Sequence, residues 1–236
     1  MYNGLSVGVA YPWSSLDSKP ETRQDYIRKK GLLAMDCRRT QLGQLNSANT
    51  ALFVCDIQEK FRPAIWNFKA VVSNTKKLLS GCSILSVPVV VTEQYPKGLG
   101  VTVAELDLES IPIALKVEKT QFNMVTPAVE EAMISTLCKD GLSSVVICGI
   151  ETHVCVEQTA IDLLARGISV HVAADCCTSR TNQDRNLALQ RLSKIGCHVT
   201  TCETVLFKLL GDKQHAKFQE ISKLVREPCK DVGLFV

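Results

Sequence analysis

The sequence predicts an α/β fold of three layers, in which a doubly wound, mainly parallel six-stranded sheet lies between helices. Two observations predict it. Apolar, largely β-branched runs recur along the chain, as strands buried on both faces do. Between them lie stretches whose apolar residues repeat at helical spacing, and strand–helix alternation of this kind builds a parallel sheet covered on both sides.

The strand candidates are ALFVC (51–55), VPVVV (87–91), IPIALKV (111–117), SSVVICG (143–149), ISVHVAA (168–174) and CHVTTC (197–202). The first helix candidate spans 68–85, with Val71, Val72, Leu78, Leu79 and Cys82 along one face. A second, 127–138, repeats Val129, Met133 and Leu137 at four-residue spacing. After Cys155 the residues Val156, Ala160, Leu163 and Leu164 do the same, and Gly167 supplies the glycine that closes a helix. The stretches 183–195 and 214–225 complete the set. Gly98-Leu99-Gly100 reads as a turn, because it lacks the third glycine of a nucleotide-binding loop and does not follow the first strand.

A chain of 236 residues fits one such domain plus an extension. The pattern begins near residue 44, so 1–43 reads as a poorly ordered N-terminal extension and 44–236 as the domain. Hydrophobic residues at 46% and charged residues at 22% are those of a globular domain with a real core. The net charge is only +3 and no basic stripe is interleaved with aromatics, so nucleic acid is not an expected partner. No apolar run is long enough to span a bilayer, so neither is a membrane. The cysteines number eleven, an odd count without C-x-x-C spacing, which reads as free thiols in a reducing compartment. The expected location is inside the cell, the cytoplasm by default, with peroxisome and mitochondrion as alternatives. Cys55 and Cys148 sit within apolar runs and read as small buried hydrophobes; Cys176 and Cys177 read as a loop with two thiols.

Ligands of doubly wound sheets bind beyond the carboxyl ends of the strands, where strand order reverses. Three residues at those ends carry chemistry. Asp56 directly follows the first strand, and is either an acid at the mouth of the sheet or a helix cap. Lys119 follows the third and, alone, reads as a solvated surface cation. Cys155 ends the segment GIETHVC after the fourth strand, in the first turn of the next helix, where the helix dipole favours a thiolate; the competing reading is a packed core thiol. If the three converge, Asp56 takes the thiol proton, Lys119 favours the anion, and Cys155 attacks an electrophilic carbon to form a covalent intermediate.

The motifs Asp56-Ile57-Gln58, Lys119 ahead of Phe122-Asn123-Met124, and Gly149-x-x-Thr152-x-x-Cys155 resemble, in order and spacing, those of the isochorismatase-like superfamily of cysteine hydrolases, from about residue 44 to the C-terminus. The resemblance implies a Rossmann-like fold, an Asp56–Lys119–Cys155 triad, hydrolysis of a small amide-like substrate through a thioester-type intermediate, and homo-oligomers. It also implies a cis peptide between Ile150 and Glu151, with the amides of Glu151 and Cys155 forming an oxyanion hole. Gln58, Phe61, Tyr95, Phe122, Thr152 and His153 are the candidate pocket residues. Nicotinamidases of this superfamily carry a D-x-H motif and a further histidine that hold a metal. Here the second strand is followed by Thr92-Glu93-Gln94-Tyr95-Pro96, and His153, His171, His198 and His215 are scattered, so no metal and no cofactor are expected. True isochorismatases lack the nucleophilic cysteine, so Cys155 argues against isochorismate as substrate. The competing function is a binding or scaffold protein that keeps the fold without turnover.

Overall fold

The computed structural model describes residues 42–233. The expected extension 1–43 therefore lies outside the described residues save for its last two positions, as do the last three residues of the chain.

Six parallel strands form one sheet in the order β3-β2-β1-β4-β5-β6. β1 (Thr50–Cys55), β2 (Val89–Gln94) and β4 (Ser144–Ile150) are buried along their whole length, as their uninterrupted apolar runs require. β5 (Ser169–Thr178) is nearly so. β3 (Ile113–Lys119) is an edge strand, with partly buried and exposed residues alternating until the buried Lys119. β6 (His198–Thr200) is a short edge at the other side. The order reverses between β1 and β4, which places the crevice of a doubly wound sheet at their carboxyl ends.

The helices follow the expected segments: α1 (Phe68–Ile84), α3 (Pro127–Ser135), α4 (Glu157–Ala165), α5 (Asn182–Lys194) and α7 (Phe218–Leu224). Local chemistry starts and stops them. Thr126, Thr181 and Thr201 cap helix N-termini by accepting from the amides of Val129, Asp184 and Thr204. Gly167, at φ 77°, ends α4 as the sequence predicts.

Three details depart from expectation. Residues Pro96–Leu99 form a short helix, α2, rather than a turn. The run CHVTTC is strand only to Thr200, because Thr201 caps a helix, α6 (Cys202–Leu210), that buries Val205, Leu206, Leu209 and Leu210. Cys176 and Cys177 lie within β5, fully buried, instead of in a loop. Among the described residues no helix is long and apolar enough to cross a membrane.

Candidate active site

The carboxyl end of β1 delivers Asp56. Its φ of 50° turns the chain out of the sheet, and its amide still donates to the Thr92 carbonyl on β2. The side chain is fully buried, Oδ1 accepting from Thr92 Oγ1 at 2.7 Å and Oδ2 from Lys119 Nζ at 2.6 Å. A capping role is not what this carboxylate does: its partners are side chains from β1, β2 and β3.

Lys119 ends β3 and is buried, against the reading of a surface cation. Its ammonium donates to Asp56 Oδ2, to Gln94 Oε1 at 2.6 Å, and to the carbonyls of Gln121 and Phe122 at 3.2 and 3.0 Å. Burial alone would pull its pKa down. The neighbouring acids Cys55, Asp56 and Cys155 outweigh that and raise it above 10.5, so the lysine stays charged. A buried charge persists only with such a partner and a full set of acceptors.

Cys155 lies beyond the end of β4. The turn Thr152–Val156 that carries it winds as a π-helix, and α4 begins only at Glu157, so the cysteine sits one turn ahead of the α-helix rather than in its first turn. Its carbonyl accepts from Thr159 Oγ1 at 2.6 Å, tying the turn to α4. The residue is only 5% exposed. Its sulfur, the Cys55 sulfur and an Asp56 carboxylate oxygen all lie within 4.8 Å of one another. The three strand ends thus converge on one place.

The approach is set by backbone. Gly149 sits opposite Cys55 in the β1–β4 register with φ 121°, and a Cβ there would lie 2.1 Å from the Cys55 carbonyl oxygen. The Ile150–Glu151 peptide that follows is cis. The Glu151 carboxylate accepts from the Arg180 amide at 2.8 Å.

The other candidate pocket residues divide. Gln58 is fully buried and committed: its Nε2 donates to the carbonyls of Gln94 and Gly100, and its Oε1 accepts from the Gln94 amide. It clamps the loop after β1 to the end of β2 instead of facing a ligand. Thr152 is also fully buried. His153 contacts Ser179 Oγ at 3.0 Å. Phe61 packs against the core, partly buried. Tyr95 and Phe122 are half exposed, 54% and 51%, on the loops that follow β2 and β3. A cavity of about 520 Å³ lies on this side, lined in part by Tyr95, Pro96, Lys119 and Gln121.

The sequence marks Cys55 only as a small buried hydrophobe and gives Thr92 and Gln94 no place in the site. Thr92 and Gln94 sit across from Cys55 and Lys119 in the β1–β2 and β2–β3 registers. That pairing, once the strand order is known, marks both as residues able to hold the reacting side chains.

Among the described residues, Cys55, Asp56 and Cys155 form the one group of three donors close enough to ligate a metal. The Lys119 ammonium, 2.6 Å from Asp56, puts a full positive charge against the same carboxylate and opposes a second cation there.

Comparison with known proteins identifies the family and the fold. The salmon (Salmo salar) isochorismatase domain-containing protein 1 is 48% identical over 195 residues, covering 83% of this chain and 67% of that protein. The structure of the MAR1 ribonuclease from Caenorhabditis elegans superposes with a TM-score of 0.76 at 40% identity, over 82% of this chain and 97% of that one. The Escherichia coli YcaC product, described as an octameric hydrolase of unknown specificity, shares the fold at 20% identity and a TM-score of 0.66, over 77% and 88% of the two chains. The isochorismatase domain model matches residues 50–204, and the chain belongs to that family.

Proposed function

We propose that this protein is a cysteine hydrolase of a small amide-like substrate, with Cys155 as nucleophile, Asp56 as general base and acid, and Lys119 as the fixed cation. One observation carries the reading: a wholly buried Asp56–Lys119 pair, 2.6 Å apart, with the Cys155 sulfur within 4.8 Å of an Asp56 carboxylate oxygen.

The arrangement keeps the site electrically neutral at each stage. Before reaction it holds an ammonium, a carboxylate and a thiol. When Asp56 takes the thiol proton it holds an ammonium, a carboxylic acid and a thiolate. Charge moves by one group without a net ion being created in a poorly solvated place, which is where an unbalanced charge costs most. The thiolate adds to the carbonyl carbon. The amides of Glu151 and Cys155 stabilise the oxyanion, and Asp56 returns its proton to the departing amine, leaving a thioester. Water, deprotonated by Asp56, then releases the acid and restores the thiol. Tyr95 and Phe122 form the rim that meets the substrate.

The test is a panel of small amides and ureides assayed with the wild type and Cys155→Ala. Turnover abolished by the substitution supports the reading, and equal rates in the two proteins overturn it. A second reading comes from the ribonuclease named among the similar structures. Cleavage of a labelled RNA that Cys155→Ala leaves intact would favour it over amide hydrolysis. For assembly, the octameric relative supports a homo-oligomer, read directly as mass by light scattering.

A further inference from the structure

The mechanism just described leaves one reactive group unused. Cys55 is the last residue of β1, fully buried, and its sulfur lies within 4.8 Å of the Cys155 sulfur. Its thiol donates to Asp56 Oδ2 at 3.4 Å, the oxygen that also receives the Lys119 ammonium. Both cysteines are free. Two thiols thus share one carboxylate and one cation. Their exposure differs in a useful way: Cys155 reaches the surface at 5%, whereas Cys55 has no solvent contact. A small oxidant entering the site meets Cys155 first and Cys55 only through it.

We propose that Cys55 and Cys155 form an oxidative modification site, in which Cys55 resolves the product of peroxide attack on Cys155 as an intramolecular disulfide. The co-reactant is a hydroperoxide. The Cys155 thiolate attacks the distal peroxide oxygen; the S–O bond forms, the O–O bond breaks, and the alcohol or water leaves with a proton. The sulfur is oxidised by two electrons to a sulfenic acid and the peroxide is reduced. Cys55 then gives its proton to Asp56 and attacks the sulfenyl sulfur. The S–S bond forms, the S–O bond breaks, and hydroxide departs with that proton as water. A dithiol reverses the process by exchange.

The geometry favours this route over further oxidation. To bond at the usual length of about 2 Å, the sulfurs close by at most about 3 Å, within reach of side-chain rotation and small shifts of the π-helical turn. The base that Cys55 needs is already hydrogen-bonded to it. Burial, with Cys155 and the Asp56 charge adding to it, pushes the Cys55 thiol well up, so Cys55 waits as a protonated partner and does not compete for the peroxide. The inference stands apart from the hydrolase reading, because it needs only that Cys155 be the more reactive of two neighbouring thiols.

The experiment treats the full chain with hydrogen peroxide at about three equivalents, enough to carry an unresolved thiol to sulfinic acid, blocks remaining thiols, and maps peptides by mass. A tryptic peptide holding Cys55 linked to the one holding Cys148 and Cys155, about 2 Da lighter than the sum and assigned to Cys155 by tandem spectra, is the expected dominant product. Dithiothreitol restores labelling of Cys155 by iodoacetamide to its starting level. In Cys55→Ala the link is absent and Cys155 gains about 32 Da as a sulfinic acid that dithiothreitol does not reverse. The wild-type measurement needs no variant to fold. The proposal is overturned if wild type accumulates sulfinic acid at Cys155 as Cys55→Ala does, or if the disulfide found joins other cysteines.

Discussion

Two thiol clusters occupy this domain, and they differ in one component. Beside the sheet's switch point, Cys55 and Cys155 surround an Asp56 that is paired with Lys119. Around the latter half of β5, Cys176, Cys202 and Cys229 surround Asp175, which draws its hydrogen bonds from the Cys202 amide and from thiols rather than from an ammonium. Burial raises the Asp175 carboxyl, and it raises the Cys176 thiol against the opposing pull of the contact with Cys202. Contact with Cys176 first, and burial after it, does the same to Cys202. Nearby, Cys82 and Cys177 are pushed to about 12 by burial. Gathering cysteines and an acid under apolar cover therefore silences thiols. At the first cluster the buried carboxylate is hydrogen-bonded to a lysine ammonium, the partner on which the proposed chemistry rests.

This contrast is broken or sharpened by four experiments. Replacing Cys155 with Ala is expected to reduce hydrolysis by about 10³-fold or more, since the nucleophile itself is lost, whereas Cys176→Ala or Cys202→Ala leaves turnover unchanged. Steady-state rates on the best amide of the panel check both. Next, Lys119→Met leaves the Asp56 carboxylate buried without its cation, and should cost about 3–5 kcal/mol in urea unfolding. The double variant with Asp56→Asn should recover part of that loss. A double variant no more stable than Lys119→Met would mean the two side chains are not coupled.

Acid response separates a third buried group from both clusters. His171 on β5 is fully buried, neither ring nitrogen has a hydrogen-bond partner among the described residues, and its ring lies 4.7 Å from that of His198. Burial, with His198 and Lys208 nearby, lowers its pKa from 6.5 to about 3. The unfolded chain then binds a proton below pH 6.5 that the folded chain refuses until about 3, so stability falls as pH drops through that window. The expected slope from this group is about 1.4 kcal/mol per pH unit, and His171→Leu should flatten it in melts recorded between those limits. The smallest effect is expected at the silent cluster, where Cys202→Ala should cost about 1 kcal/mol of stability.

Much of this architecture is legible in the sequence. The β-branched runs of β1, β2 and β4 mark strands covered on both faces, and the chemistry-bearing residues after β1, β3 and β4 meet because a parallel sheet brings those ends together. What escaped reading did so for physical reasons. Cys55 looks like one more apolar residue in ALFVC, and only its neighbour across the crevice gives it chemistry. Thr92 and Gln94 gain their roles through strand register, which a linear pattern does not display. Helix α6 was hidden because Thr201 and Cys202, its cap and first residue, also suit a strand, and β6 is only three residues long. Gln58 looked available for a ligand, but the chain uses its amide to hold two loops.

The glycine at 149 has a consequence for how such a site can change. Because the main chains of β1 and β4 touch there with no room for a methyl group, the separation of Asp56 from the turn that carries Cys155 is set by a backbone contact. Substitutions that retune which molecule enters, while leaving the reacting atoms where they are, belong on the half-exposed rim at Tyr95 and Phe122. Residue 149 offers no such latitude: even alanine would force the two halves of the sheet apart.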